Sequence, residues 1–187
     1  KLYKGNPYYV PDILSSQVAD MQKDKNPAFA FCQAKAFLAY RGGKIVGRIQ
    51  GILNNRANQY FDRKYMNFTQ VDFIDDDEVV DALFDTVEAW GRELGCAAVH
   101  GPLGFSDMDR EGMLIEGFET RGLFYTYYSQ PYYLTQLTRR GYGKQVDWLE
   151  MHLTLPTEPI DSLVRVAEYV KKRKSLHVVN MGDKPLR

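Results

Sequence analysis

The stretch that decides the fold is Met66-Asn-Phe-Thr-Gln-Val-Asp-Phe-Ile-Asp-Asp-Asp-Glu78, with its continuation to Ser106. Phe68, Thr69, Val71, Phe73 and Ile74 give it the aromatic and β-branched mix of a strand. The acids that follow supply helix-start chemistry. With Asp75 as N-cap, Glu78 falls at the third helical position, which is capping-box spacing. Val79, Val80, Leu83, Phe84, Val87, Trp90 and Leu94 then recur every three or four residues and predict one apolar helical face. Gly95 is placed to end that helix in a left-handed conformation. Ala97-Ala98-Val99 starts a second strand, which Gly101-Pro102 stops or bends. Strand, helix of about five turns and strand predict a right-handed parallel unit. A ligand is expected at the mouth beyond the strands' carboxyl ends.

Upstream, Ala36–Tyr40 and Lys44–Leu53 read as strands joined through Arg41-Gly42-Gly43, a hairpin signal. Along the second, Ile45, Gly47, Ile49, Gly51 and Leu53 share one face, and Val46, Arg48, Gln50 and Ile52 the other. Gly47 and Gly51 mark a close backbone approach or a twisted sheet that tolerates glycine. Residues 1–11 form an extended segment with Tyr3, Tyr8 and Tyr9. Asp12 is expected to cap a short helix with Ile13, Leu14, Val18 and Met21 on one side. Phe29 and Phe31 are spaced as alternating side chains. Residues 54–64 are a polar loop or short helix, in which Arg56, Arg63 and Lys64 are candidates for phosphate contact or simple solvation.

After the parallel unit, Gly101–Gly122 reads as an ordered loop with a short helical turn. Four of its carboxylates, Asp107, Asp109, Glu111 and Glu116, lie within ten residues. They are candidates to hold an amine or act as bases, or else they cap the loop and carry surface charge. No histidine joins them, so no metal is expected. Pro131 suits a first helical turn, and Tyr133, Leu134 and Leu137 give that helix a face ending at Gly141. Gln145–Thr154 alternates as a strand. Ile160, Leu163, Val164, Ala167 and Val170 then make an amphipathic helix closed by Lys171–Lys174, favourable at a helix C-terminus. Leu176–Asn180 reads as the start of a new strand.

The 187 residues carry 44% hydrophobic side chains, enough for a sizeable core. Lys and Arg balance Asp and Glu at 24 each, so no global field draws nucleic acid. Cys32 and Cys96 make no disulfide framework or metal cluster and fit a reducing, cytoplasmic setting. No apolar run spans a membrane, so no membrane partner is expected. The first residue is Lys1 rather than Met, which predicts a segment upstream. The domain expectation is 1–155 as one domain, with 156–187 as a linker helix and the first strand of a second.

Hairpin, third strand, long helix, fourth strand, helix and final strand is the element order of the GNAT superfamily of acyl-CoA N-acyltransferases. The chain resembles a bacterial branch of it with two GNAT-like halves. The resemblance is carried by Leu2–Pro11, Gly43–Arg48, Gly101–Ser106, Glu111–Phe118 and Pro131-Tyr-Tyr133, and covers residues 2 to about 153. It implies an α+β fold with a mixed, mostly antiparallel sheet flanked by helices. It implies an acyl-CoA co-substrate and a small-molecule amine. The pyrophosphate would lie on backbone N–H groups at the helix start, around Phe73, Ile74, Asp75 and Asp76. By position Asp72 is the base candidate, and Tyr132 or Tyr133 the acid that protonates the thiolate. The superfamily's glycine-rich phosphate loop is absent. Ile74-Asp-Asp-Asp-Glu78 stands in its place, and clustered carboxylates there repel phosphate. Ser129-Gln130 also stands where the branch has Asn before Pro-Tyr-Tyr. A catalytically inactive GNAT-like ligand-binding or interaction domain is the alternative.

Overall fold

The computed structural model describes residues 2–176. In chain order these form α1 (Leu14–Asp20), a 3-10 turn (Pro27–Ala30), β1 (Cys32–Arg41), β2 (Lys44–Asn54), α2 (Asn55–Tyr60), β3 (Tyr65–Phe73), α3 (Asp77–Glu93), β4 (Ala98–His100), α4 (Tyr132–Arg139) and α5 (Asp161–Lys174). The sheet order is β1-β2-β3-β4. The first two pairings are antiparallel and β3–β4 is parallel. This is the α+β class expected from the sequence, a mixed, mostly antiparallel sheet flanked by helices, but among the described residues it lacks the final strand of the expected order. Contacts divide the chain into Lys1–Asp147 and Trp148–Arg187.

Gly42 and Gly43 adopt φ of +55° and +75° and so close the β1–β2 hairpin without a Cβ penalty. One face of the sheet takes α3. Val79, Val80, Leu83, Phe84, Val87 and Trp90 bury against Ile49, Leu53, Met66, Phe68 and Phe73. Burying each large side chain contributes about 1.5–3 kcal/mol. The glycines of β2 permit the approach: a Cβ on Gly51 would lie 3.1 Å from the Trp90 ring, and one on Gly47 would lie 2.7 Å from Leu83. A smaller core of Cys32, Ile52 and Phe105 forms a second cluster.

Two departures from regular pairing shape the sheet. Arg48 faces Asp72 and Gln50 faces Thr69, so β3 carries one extra residue opposite β2. Gln70 sits in this bulge at φ +50°. The bulge brings Thr69 and Asp72, three apart in sequence, to the same side as Arg48 and Gln50. Second, β4 pairs with β3 only from Tyr65↔Ala98 to Asn67↔His100. Leu103 N–H then donates to Phe68 C=O at 2.8 Å, and β3 runs on to Phe73.

Several local expectations are corrected. The α3 cap is Asp76, not Asp75: its carboxylate accepts from Val79 N–H at 3.1 Å, while Gln136 holds Asp75. Asp12 does not cap α1, which has Ile13 at its N-cap, because Asp12 pairs with Arg110 instead. Ile13, Leu14 and Val18 are exposed, so α1 lacks the buried side its spacing implied. Phe29 lies in the 3-10 turn rather than in a strand. Residues 101–122 hold an isolated bridge, Leu103↔Glu111, and no helical turn. On α4, Tyr133, Gln136 and Leu137 are buried but Leu134 is exposed. Gln145–Thr154 is not a strand; Val146, Trp148, Leu149, Met151 and Leu153 are exposed, and alternation without a neighbouring edge makes no ladder. In the second unit, α5 carries four basic residues in its last turn. The strand expected at 176–180 lies, beyond Leu176, outside the described residues. Among the described residues no helix is long and apolar enough to cross a membrane.

Candidate functional site

Beyond His100, β4 leaves the edge of β3, and side chains from three other parts of the chain converge on the residues thus freed. Asp72 is their centre. Its Oδ2 accepts from Arg48 Nε and from a second Arg48 guanidinium nitrogen, both at 2.7 Å. Its Oδ1 accepts from the Tyr3 hydroxyl at 2.7 Å and the Tyr133 hydroxyl at 3.1 Å. The two phenol oxygens stand 3.3 Å apart. Burial first, then the neighbouring Tyr133 and the Asp72 charge, pushes the Tyr3 hydroxyl far above the ordinary tyrosine range. Tyr133 is pushed up for the same leading reason, with the Asp72 charge next. Both remain phenols, and so donors, at every physiological pH.

Helix α4 supplies two adjacent tyrosines with different tasks. Tyr133 accepts the Phe73 N–H at 3.1 Å while its ring stacks on Phe73 at 4.1 Å between centroids. Tyr132 donates to Phe73 C=O at 2.7 Å. Burial, assisted by the charges of Asp75 and Asp72, raises its hydroxyl to about 12. The last peptide groups of β3 therefore find their partners on a helix rather than on a strand.

The start of α3 is filled from within the protein. Arg41 pairs with Asp76 and, at 2.8 Å, with Glu78. Gln136 donates to Asp75 and Asp77, each at 2.9 Å. The hydrogen bond from Arg41, then that from Val79 N–H, holds Asp76 below the usual carboxylate range. A pyrophosphate does not fit here: the N-cap position is taken and carboxylates surround it. Phe73 has both peptide groups bonded to tyrosines. Further along, Arg140 clasps Asp81, Asp85 and Glu88 of α3 at 2.6–3.0 Å, binding α4 to α3.

The four acids of the 101–122 loop are not gathered into one site. Asp109 accepts from Phe105 N–H at 2.7 Å and Ser106 N–H at 3.2 Å, and so shapes its own turn. Glu111 is half-buried and raised by burial and by Asp107 nearby. Asp107 and Glu116 are exposed. Among the described residues no three of His, Cys, Asp and Glu could hold a metal.

A small cavity of about 30 Å³ lies beside Asp72, room for one water. Tyr3, Tyr9, Asp12, Arg48, Arg110 and Tyr127 are among its walls. The Thr69 and Tyr127 hydroxyls bond at 3.0 Å, and Arg110 lies 5.9 Å over the Tyr127 ring. Of these residues sequence reasoning singled out Asp72 alone. The charge on the second face of β2 signalled Arg48, but nothing local signalled Tyr3 or Arg110.

The chain resembles two longer bacterial proteins. It is 28% identical over 182 residues to Protein YghO of Escherichia coli (strain K12), covering 96% of this chain and 46% of that protein. It is 27% identical over 148 residues to Bacterial ceramide synthase of Caulobacter vibrioides (strain NA1000 / CB15N), covering 79% of this chain and 38% of that protein. The chain thus spans less than half the length of these relatives. No family model matches it, and no solved structure does.

Proposed function

We propose that this chain is the GNAT-like part of an N-acyltransferase that moves an acyl group from a thioester carrier, acyl-CoA or another, to an amine. The observation that carries the reading is the Asp72 cluster: a carboxylate near the end of β3, where β4 has left its edge, with two phenols on it and a cavity beside it. The name of the Caulobacter relative supports acyl transfer to an amine, because a ceramide is an N-acylated long-chain amino alcohol. In such a transfer the C–N bond forms, the thioester C–S bond breaks, the amine loses a proton and the thiolate gains one. Asp72 takes the amine's proton. Tyr132 or Tyr133 is the donor to the thiolate, and a phenol raised as Tyr132 is holds its proton until a strong base forms beside it. The carrier's phosphates bind away from the start of α3.

A second reading is favoured by one specific feature. The hydroxyls of Tyr132 and Tyr133 already bond the Phe73 peptide groups, where a carrier's arm would lie along the strand. In that reading this part of the protein is a non-catalytic GNAT-like module. The two are separated by assaying the protein at its native length for amide formation from acyl-CoAs and primary amines, including a long-chain amino alcohol. Asp72→Asn keeps the shape and removes the base; the first reading expects a loss of about 10²–10⁴-fold. Wild-type turnover in Asp72→Asn and in Tyr132→Phe assigns the chemistry elsewhere.

A further inference from the structure

Asp72 has no vacant lone pair. A carboxylate offers about four acceptor positions, and Arg48 fills two while Tyr3 and Tyr133 fill the others. An amine N–H can reach this carboxylate only by replacing one of them. Arg48 holds Asp72 through two bonds from one guanidinium and supplies the charge that balances it, and Tyr133 is fixed in α4 with only 1% of its surface exposed. Tyr3 is different. Residues 2–12 form no helix or strand, only turns such as Asn6 N–H to Tyr3 C=O at 3.1 Å. The segment is held by a Gln130 side-chain bond to Leu2 C=O at 3.2 Å, by edge contacts of Tyr3 and Tyr9 on the Tyr128 ring, and by the Arg110–Asp12 pair at its far end. Tyr3 stacks on Tyr9 at 4.3 Å, a contact within the segment that travels with it.

We propose that residues 2–12 are a strap whose Tyr3 hydroxyl occupies the acceptor-amine position on Asp72 Oδ1, so that a bound amine and the closed strap exclude one another. This rests on the reading of Asp72 as the amine's base. The cavity beside Asp72 is too small for any amine larger than water, and withdrawing the Tyr3 phenol is what enlarges it. The charges facing it, Arg48 with Asp72 and Arg110 with Asp12, cancel in pairs. The vacated position therefore offers a carboxylate oxygen beside aromatic rings, Tyr127 and Tyr128, rather than a bare anion. That environment suits a primary amine on an alkyl chain.

The test is equilibrium binding of n-hexylamine, with 1-hexanol as the chain-matched control, read alongside hydrogen exchange of residues 2–12. The proposal expects hexylamine, but not hexanol, to raise exchange in the strap. Tyr3→Phe keeps the ring on Tyr9 and removes the competing donor, and should bind hexylamine about 10-fold tighter. Gln130→Ala loosens the strap without touching Asp72 and should move affinity the same way. Amine binding with unchanged strap exchange, or weaker binding in both variants, overturns the strap and leaves Asp72 as base untouched. If hexylamine binds neither wild type nor Tyr3→Phe, the amine position on Asp72 is itself wrong, and the catalytic reading falls with it.

Discussion

Tyr133→Phe isolates the hydroxyl on which the end of β3 depends. The substitution keeps the ring and its 4.1 Å stack on Phe73, so the cavity term is near zero. Two bonds are lost. The donation to Asp72 Oδ1 ends on a charged acceptor, a class worth about 1.5–3 kcal/mol. The Phe73 N–H loses its acceptor, in a residue with no exposed surface, and an unpaired buried donor costs about 1–3 kcal/mol. Tyr3 stays on Asp72, so the two losses overlap, and a net destabilisation of about 2–4 kcal/mol is expected. For a chain of this size that lowers Tm by about 5–15 °C. Tyr132→Phe frees only the Phe73 carbonyl and should cost about 1 kcal/mol. Thermal melts of the two variants, with Phe73 amide exchange as the local probe, make the comparison. If Tyr133→Phe melts within a degree or two of wild type, or Tyr132→Phe proves the more damaging, the clamp on β3 is misassigned.

Three further outcomes follow from the geometry. Gly51→Ala and Gly47→Ala should each lose about 1–3 kcal/mol in urea titrations, because their new methyls meet the Trp90 ring and Leu83 on a tightly apposed face. Arg140→Ala should cost about 2–3 kcal/mol, against less than about 1 for the more exposed Arg139→Ala, since Arg140 is largely buried and contacts three acids. His100, which bonds Asn67 at 2.6 Å, is depressed below 6.5 chiefly by burial and then by Arg63. Below pH 6.5 the unfolded chain takes up a proton that the folded one refuses, so stability is full above 6.5 and falls as pH drops beneath it. His100→Gln should flatten that slope in melts between pH 5 and 6.5 if the assignment holds.

The β3–α3–β4 unit was legible because its signals are local: a run of aromatic and β-branched residues, then period-3.6 residues, then Gly95, which takes φ +72° as expected. The cap was not, because Asp75, Asp76 and Asp77 are chemically equal candidates. What separates them is tertiary: Arg41 comes from the hairpin to Asp76, and Gln136 from α4 to Asp75 and Asp77. The bulge at Gln70 carries no glycine to announce it, yet it decides which way Asp72 points. Asp72 could be picked out as an acid on the right strand. Tyr3, 69 residues away, could not, since no local pattern encodes a contact at that separation. Gln145–Thr154 failed for the converse reason: alternation describes a strand's faces but does not supply its neighbour.

The acids at the start of α3 bear on which half of the proposed reaction this chain serves. Read alone, they are four clustered carboxylates that repel phosphate. In the fold they are partnered: Arg41 and Gln136 engage all four, so the helix start is committed to joining the hairpin, α3 and α4. Removing one acid therefore would not create a phosphate site, because Arg41 and Gln136 each keep a second carboxylate there. Asp72, a few residues earlier at the end of β3, differs in kind. There the carboxylate of Asp72 meets a donor carried on a segment without secondary structure, beside a cavity. Chemistry that needs a partner to leave is feasible at Asp72 and blocked at Asp76. Within the proposed reaction, these contrasts put the amine step at Asp72 and keep phosphate away from the start of α3.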